Sequence, residues 1–366
     1  MKFDFVIGNP PYQQEAENSK SKTNGQKPMT NIFQYFQEQA DEISKESSVM
    51  IYPGGRWIHQ SGKGVKEFGR KQINDPTLST IEFYPNASDV FGNAASLADG
   101  VTIVAKKKDH VGDGFKYIYN KDGHETEVYA RHPGNKLMPL NPFDLPVMQK
   151  VDKIVEMNNW AFLHDYILPR SLFAIESDFV DKNPDKVRLL ENDNINYDKG
   201  EIKLFTNDKA GKAGRATWFV ANRDVITSNQ NLIDQWQVVV SSANAGGQKR
   251  DNQLAIMDNH SAFGRARLAL RSFETYDEAK NFYDYVDSYL IRYMFLLTDE
   301  ALSSLGKEVP DILNYKTDNG IIDFSKDVDS QLFKIFELSD DEIKYVMSAV
   351  DGVSKKGDGI NAKAEY

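Results

Sequence analysis

The chain has 366 residues, a net charge of −10 and no cysteine, which excludes a disulfide scaffold, a thiolate zinc site and a cysteine nucleophile and suits a reducing compartment. Hydrophobic residues make up 40%, enough for packed cores in two or three domains. No apolar run is long enough for a membrane span and no leader-like segment opens the sequence, so a cytoplasmic location is expected.

The acid is unevenly spread. Residues 201–274 carry ten Lys and Arg against seven acids, while 275–366 carry ten against nineteen. The mildly basic middle permits a nucleic-acid-facing segment, although a mixed solvated surface accounts for it as well.

Taken in chain order, residues 3–7 read as a buried strand. It must stop at Pro10 and Pro11, which cannot donate to a sheet ladder. Residues 13–29 are polar and read as a long loop. Residues 31–44 place Ile32, Phe33, Phe36, Ala40 and Ile43 at helical spacing, with Thr30 or Asn31 as N-cap. Residues 48–52 form a strand ending at Pro53-Gly54-Gly55. A helix is expected over 63–74 and strands over 78–84 and 100–105. This alternation predicts an α/β sheet. Ligands sit at the carboxyl ends of strands in such sheets, so residues 9–12 and 53–57 are expected to line one crevice.

Residues 111–150 are turn-rich, with Pro133, Pro139, Pro142 and Pro146, and read as a linker. Residues 151–274 mix short strands (217–220, 235–241) with Gly/Asn-rich loops. Residues 276–297 carry one apolar helical stripe. A last helix is expected over 339–350, opened by a Ser339–Glu342 capping box, with residues 354–366 frayed. The expected divisions are 1–110, 111–150, 151–274 and 275–366.

Asn9-Pro10-Pro11-Tyr12 has chemistry of its own. The exocyclic amine of adenine is a poor nucleophile, because its lone pair is delocalised into the ring. Two acceptors on its N–H groups draw the nitrogen towards tetrahedral geometry and free that pair. Asn9 offers a side-chain oxygen. Pro10 offers a backbone carbonyl, fixed by its own ring and by Pro11. Tyr12 can stack on a base taken out of the duplex.

The stretch DFVIGNPPYQ resembles the catalytic motif of adenine-N6 DNA methyltransferases. The segments that follow are similar, in order, to the type IIG-like restriction-modification methylases. They are MTNIFQYFQEQADEI, VMIYPGGRWI (where that family more usually has Pro-Ser-Arg-Trp), GKGVKEFGRKQINDPTL, FYPNASDVFGNAASLADGVTIVAKK, WFVANRDVI and FETYDEAKNFYDYVDSYLIRYMFLL. The resemblance implies that Asn9, Pro10, Pro11 and Tyr12 hold the target adenine, with Arg56 and Trp57 in a turn near it. It implies a partial Rossmann-like methyltransferase sheet, then a mixed α+β target recognition domain after about residue 130, then a helical C-terminus. It also implies S-adenosylmethionine as methyl donor and double-stranded DNA as partner.

In that family the cofactor half comes before the Asn-Pro-Pro-Tyr strand, and eight residues precede Asn9. The expectation is that this chain lacks the main cofactor half through truncation or gene splitting, or that an upstream polypeptide supplies it. Gly62-Lys63-Gly64 and Gly211-Lys212-Ala213-Gly214 do not replace it, since neither fits a phosphate loop.

In the basic middle, Arg215, Arg223, Lys249, Arg250, Arg265 and Arg267 are candidates for phosphate or base-edge contacts. Trp218, Phe219, Trp236 and Phe263 read as core. Asp185, Glu201 and Lys203 have a loose nuclease-like spacing, and the six histidines show no metal-ligand pattern. Two other functions stay open. One is a DNA-binding module without catalysis. The other is a glutamine-side-chain methyltransferase, which shares the motif but ends soon after its catalytic domain.

Overall fold

The computed structural model describes residues 2–15, 29–60, 64–92, 97, 99–121, 123–191, 194–243, 246–249, 253–298, 302 and 304–361, with 354–361 as backbone alone. The chain divides into two compact units, Met1–Pro146 and Val147–Tyr366.

The first unit runs β1 (Phe3–Gly8), β2 (Gln13–Glu15), β3 (Met29–Asn31), α1 (Phe33–Ile43), β4 (Ser44–Pro53), α2 (Gly55–Ile58), α3 (Lys66–Ile73), β5 (Leu78–Tyr84), α4 (Ser88–Phe91), β6 (Val101–Lys107), β7 (Gly114–Lys121) and β8 (His124–Arg131). Six strands make one mixed sheet in the order β1-β4-β6-β5-β7-β8. β1 and β4 are parallel, joined through α1 as a Rossmann-like βαβ unit. β6 runs antiparallel between β4 and β5. The fold class is therefore α/β, as the alternation predicts.

α1 forms because Phe33, Gln37 and Ala40 fall on one buried stripe. Its N-cap is Ile32, with no side-chain capping bond, rather than Thr30 or Asn31. Most of the polar stretch after β2 lies outside the described residues. Its two ends pair as the β2–β3 ribbon.

Two segments differ from the sequence reading. Residues 114–131, inside the expected linker, form a hairpin that extends the sheet, with β7 parallel to β5 and β8 antiparallel to β7. Most side chains of β8 are exposed, so its composition resembles that of a loop. β1 was expected to be buried. It is an edge strand with β4 as its ladder neighbour, and Phe3, Phe5 and Ile7 are exposed.

The second unit takes up α5 (Leu145–Met157), which begins at the division, then β9 (Ala161–Phe162), α6 (Phe179–Lys182), β10 (Val187–Leu189), β11 (Glu201–Asn207), β12 (Ala216–Asn222), β13 (Trp236–Ser241), β14 (Leu254–Met257), β15 (Ser261–Phe263), β16 (Arg267–Phe273), α7 (Tyr276–Asp287), α8 (Tyr289–Leu296), β17 (Pro310–Asp311), α9 (Val328–Ile335) and α10 (Asp340–Asn361). Two sheets, β10-β12-β11-β15 and β14-β13-β16, carry it. Alternation along β13 serves both sides. Val239 joins a core with Leu204, Phe219 and Phe263, while Val238 and Val240 join a core with the helices. Phe219 and Phe263 are buried, and Trp218 and Trp236 pack against those cores.

The helical stripe of residues 276–297 breaks at Ser288, which is extended (φ −66°, ψ 154°). Asp329 Oδ1 accepts from Tyr289 N at 2.6 Å and so satisfies the first donor of α8. The Ser339–Glu342 capping box is present in both directions. The helix it opens continues to Asn361.

Candidate adenine-binding turn and DNA-facing cations

β1 and β4 are parallel, with Gly8 opposite Met50, so the turns that follow them leave the sheet on the same side. After β1, Asn9 is exposed, Pro10 buried, Pro11 exposed and Tyr12 half-buried. Tyr12 Oη donates to Asn9 Oδ1 at 2.8 Å. Burial pushes the Tyr12 phenol above its ordinary 10.0, so it stays a donor at neutral pH. The chain beyond is tied down: Ile32 N donates to the Tyr12 carbonyl at 3.0 Å, and Gln13 Nε2 donates to Asn31 Oδ1 at 2.9 Å. Among the described residues the Pro10 carbonyl accepts no hydrogen bond.

The turn after β4 is built on close approach. A Cβ on Gly54 would lie 2.3 Å from Thr102 Cγ2. Asp99 braces the next two residues: its carbonyl accepts from Gly55 N at 2.8 Å and its Oδ1 from Arg56 N at 3.1 Å. The Arg56 side chain is 62% exposed, with Nε 3.8 Å from Asp99 Oδ1. Trp57 points the other way. It is 1% exposed and packs edge-on against Tyr52 and Phe68, so it is out of reach of a nucleic acid. Arg56 and Trp57 are both DNA-binding candidates from the sequence, and Trp57 lies in the core beneath the turn while Arg56 is exposed.

An apolar groove of about 260 Å³ adjoins the motif, lined in part by Val6, Ile7, Asn9, Pro10, Phe36 and Met50. No carboxylate lines it to accept from ribose hydroxyls, and the glycines after β4 are filled by Thr102 and Asp99. The described residues therefore do not fit a nucleoside cofactor by themselves.

In the second unit the basic residues fall into two groups. Arg223 is locked to Asp234 by two hydrogen bonds, of 2.5 and 2.7 Å. Arg267 is 6% exposed, donates to the Gln253 carbonyl at 3.3 Å and lies 5.0 Å over the Phe205 ring. Its burial holds its guanidinium below the usual arginine range and makes it a wall residue rather than an exposed contact. Lys249 stands 3.7 Å over the Tyr289 ring. Arg265 Nε is 2.7 Å from Glu176 Oε2, an ion pair without an aligned N–H bond. Arg250 lies outside the described residues. Arg215 is exposed and its side chain is in no ion pair among the described residues.

The structure adds Arg170, Lys209 and Lys212, which are exposed and unpaired among the described residues. The two lysines sit in the DKAGKAGR turn of the β11–β12 hairpin, where their spacing is visible in the sequence. Arg170 carried no such signal. The nuclease-like spacing does not assemble, because Glu201 pairs with Arg188 and Lys203 with Asp258.

Residues 1–91 match the model of the Eco57I restriction-modification methylase family. No curated protein matches the sequence. Similar solved structures include the following three. The type IIL restriction-modification enzyme MmeI, in complex with DNA, is 10% identical over 95% of this chain and 54% of its own, at a TM-score of 0.42. The type IIG restriction endonuclease BpuSI is 11% identical over 96% and 53%, at 0.36. The type I methyltransferase subunit from Streptococcus thermophilus is 13% identical over 42% and 32%, at 0.23. The chain thus spans about a third to a half of the length of these proteins, and superpositions this loose carry no functional argument.

Proposed function

We propose that this chain carries the adenine pocket and the DNA-reading part of an adenine-N6 DNA methyltransferase of a restriction-modification system. The observation that carries the reading is the turn after β1. Asn9 is exposed at the carboxyl end of the strand, its amide oxygen oriented by Tyr12, beside a Pro10 carbonyl that accepts no hydrogen bond among the described residues.

In this reading Asn9 Oδ1 and the Pro10 carbonyl each accept one N–H of a flipped adenine. The Tyr12 ring stacks on the base. The amine nitrogen then presents its lone pair away from the two acceptors. S-adenosylmethionine supplies the methyl group when bound, and residues beyond those described hold it. The exposed Phe3, Phe5 and Ile7, which share one face of β1, favour a further polypeptide segment packed against that face.

The test is host DNA from a methylation-free bacterium expressing the chain in its full gene context. N6-methyladenine at one discrete sequence is expected, and its loss with Asn9→Ala. Methylated cytosine, or marks that persist in the variant, would overturn the reading.

A further inference from the structure

At one end of the second unit, both sheets open onto a cleft of about 410 Å³, lined by Arg170, Phe205, Asn207, Ser242, Arg265 and Arg267 among others. The cleft is built by the tight turn between β15 and β16. Gly264 N donates to the Phe205 carbonyl at 2.8 Å, and Ser242 N to the Ala266 carbonyl at 3.0 Å. A Cβ on Gly264 would lie 2.5 Å from Thr206 Oγ1, so the turn admits only glycine without rearrangement. Arg265 and Arg267, two residues apart, thereby face the same opening.

The charge balance is unusual for a protein of net charge −10. Arg170 lines the cleft, and the adjoining hairpin carries Lys209, Lys212 and Arg215. None of these four is in an ion pair among the described residues. Elsewhere in the unit Lys153 pairs with Glu337 and Lys182 with Asp178, whereas Lys186, Lys199, Lys316 and Lys334 are exposed without an ion pair among the described residues but do not line this cleft. Among the described residues Glu176 is the acid paired with a cation of this site, and it holds Arg265 at 2.7 Å with both side chains about half exposed. An exposed pair of that kind contributes little, so an incoming anion displaces it at small cost.

We propose that this cleft binds backbone phosphodiesters of duplex DNA, with Arg170 and Arg265 as phosphate ligands. Glu176 occupies the phosphate position on Arg265 until DNA replaces it. The buried Arg267, stacked over Phe205, forms the wall that fixes the opening. The hydroxyl of Ser242 and the amide of Asn207 supply neutral donors at the same mouth. The inference rests on the DNA-methylase reading and adds to it which residues grip the backbone and which carboxylate competes.

The experiment is duplex binding by the full chain, followed by anisotropy over a salt series. Arg170→Ala and Arg265→Ala should each weaken binding and lower the slope of log K against log salt by about 0.9. Glu176→Gln should tighten binding several-fold at low salt. Lys153→Ala, on a paired surface lysine, should change neither. Unchanged melting temperatures show that the variants are folded. If the two arginine variants behave like Lys153→Ala while the wild type binds duplex, the cleft assignment fails and the DNA-methylase reading stands. A wild-type chain that binds no duplex overturns both. Weaker binding by Glu176→Gln overturns the competing role, and saturation by inorganic phosphate with no preference for duplex makes this a free-phosphate site.

Discussion

Tyr12 Oη donates a 2.8 Å hydrogen bond to Asn9 Oδ1, across the two prolines that separate them. The bond fixes which way the Asn9 amide faces and leaves its oxygen a second lone pair. In the proposed reading Tyr12 has two parts, a ring that stacks on the base and a hydroxyl that orients Asn9. Tyr12→Phe keeps the ring and loses the hydroxyl. It should lower methyl transfer about tenfold, the value of one hydrogen bond. Asn9→Ala should cost roughly 10²–10³, as removal of a preorganised polar group does. Labelled-methyl incorporation into DNA by the assembled enzyme separates the two.

The sheet rests on a buried cation. Lys106 is 3% exposed, and its Nζ donates to Asp41 Oδ2 and Asp75 Oδ2, each at 2.7 Å. Lys106→Met leaves two carboxylates facing each other over an apolar chain. It should destabilise the first unit by about 3 kcal/mol, read from urea unfolding at neutral pH.

The same network sets a pH dependence. Burial alone would raise the Asp75 carboxyl, but the hydrogen bond and charge of Lys106, with Thr77, outweigh it and the net shift is below 3.8. A folded value below the unfolded one stabilises the protein above 3.8. That contribution disappears as pH falls through the depressed value. Asp75→Asn should therefore flatten the acid limb of stability against pH, and an unaltered limb would locate the acid-labile group elsewhere.

Gly54 sits where β4 turns over β6. Gly54→Ala brings a methyl group against Thr102 Cγ2 and the Phe83 ring. Overpacking of this kind costs about 1–3 kcal/mol. Thr102→Ser in the same chain should recover part of the loss, and a double-mutant cycle by thermal melting measures the coupling.

Arg271 belongs to the basic middle of the sequence, yet its charge is spent inside the protein. Its Nη1 donates to Asp311 Oδ2 at 2.6 Å, and Asp311 is fully buried, also accepting from Tyr315 Oη and Leu313 N. Arg271→Met strands that carboxylate and should cost about 3–5 kcal/mol. DNA affinity measured below the melting transition should be unchanged.

The sequence by itself determined the strand–turn at Asn9–Tyr12, the α/β alternation up to β6 and the Ser339–Glu342 cap. Each is a local matter, since proline removes a donor, apolar spacing selects a period and a capping box closes within one turn. Only the tertiary structure decided which cations remain available. Arg223, Arg267 and Arg271 look like Arg170 and Arg215 in sequence, and a carboxylate or ring brought from elsewhere in the chain separates them. The β7–β8 hairpin was hidden for the same kind of reason. An edge strand buries few of its side chains, so its composition carries little trace of a sheet that depends on partners distant in sequence. Asn9 was legible as a turn residue, but the phenol that holds its amide is a relationship that only folded coordinates contain.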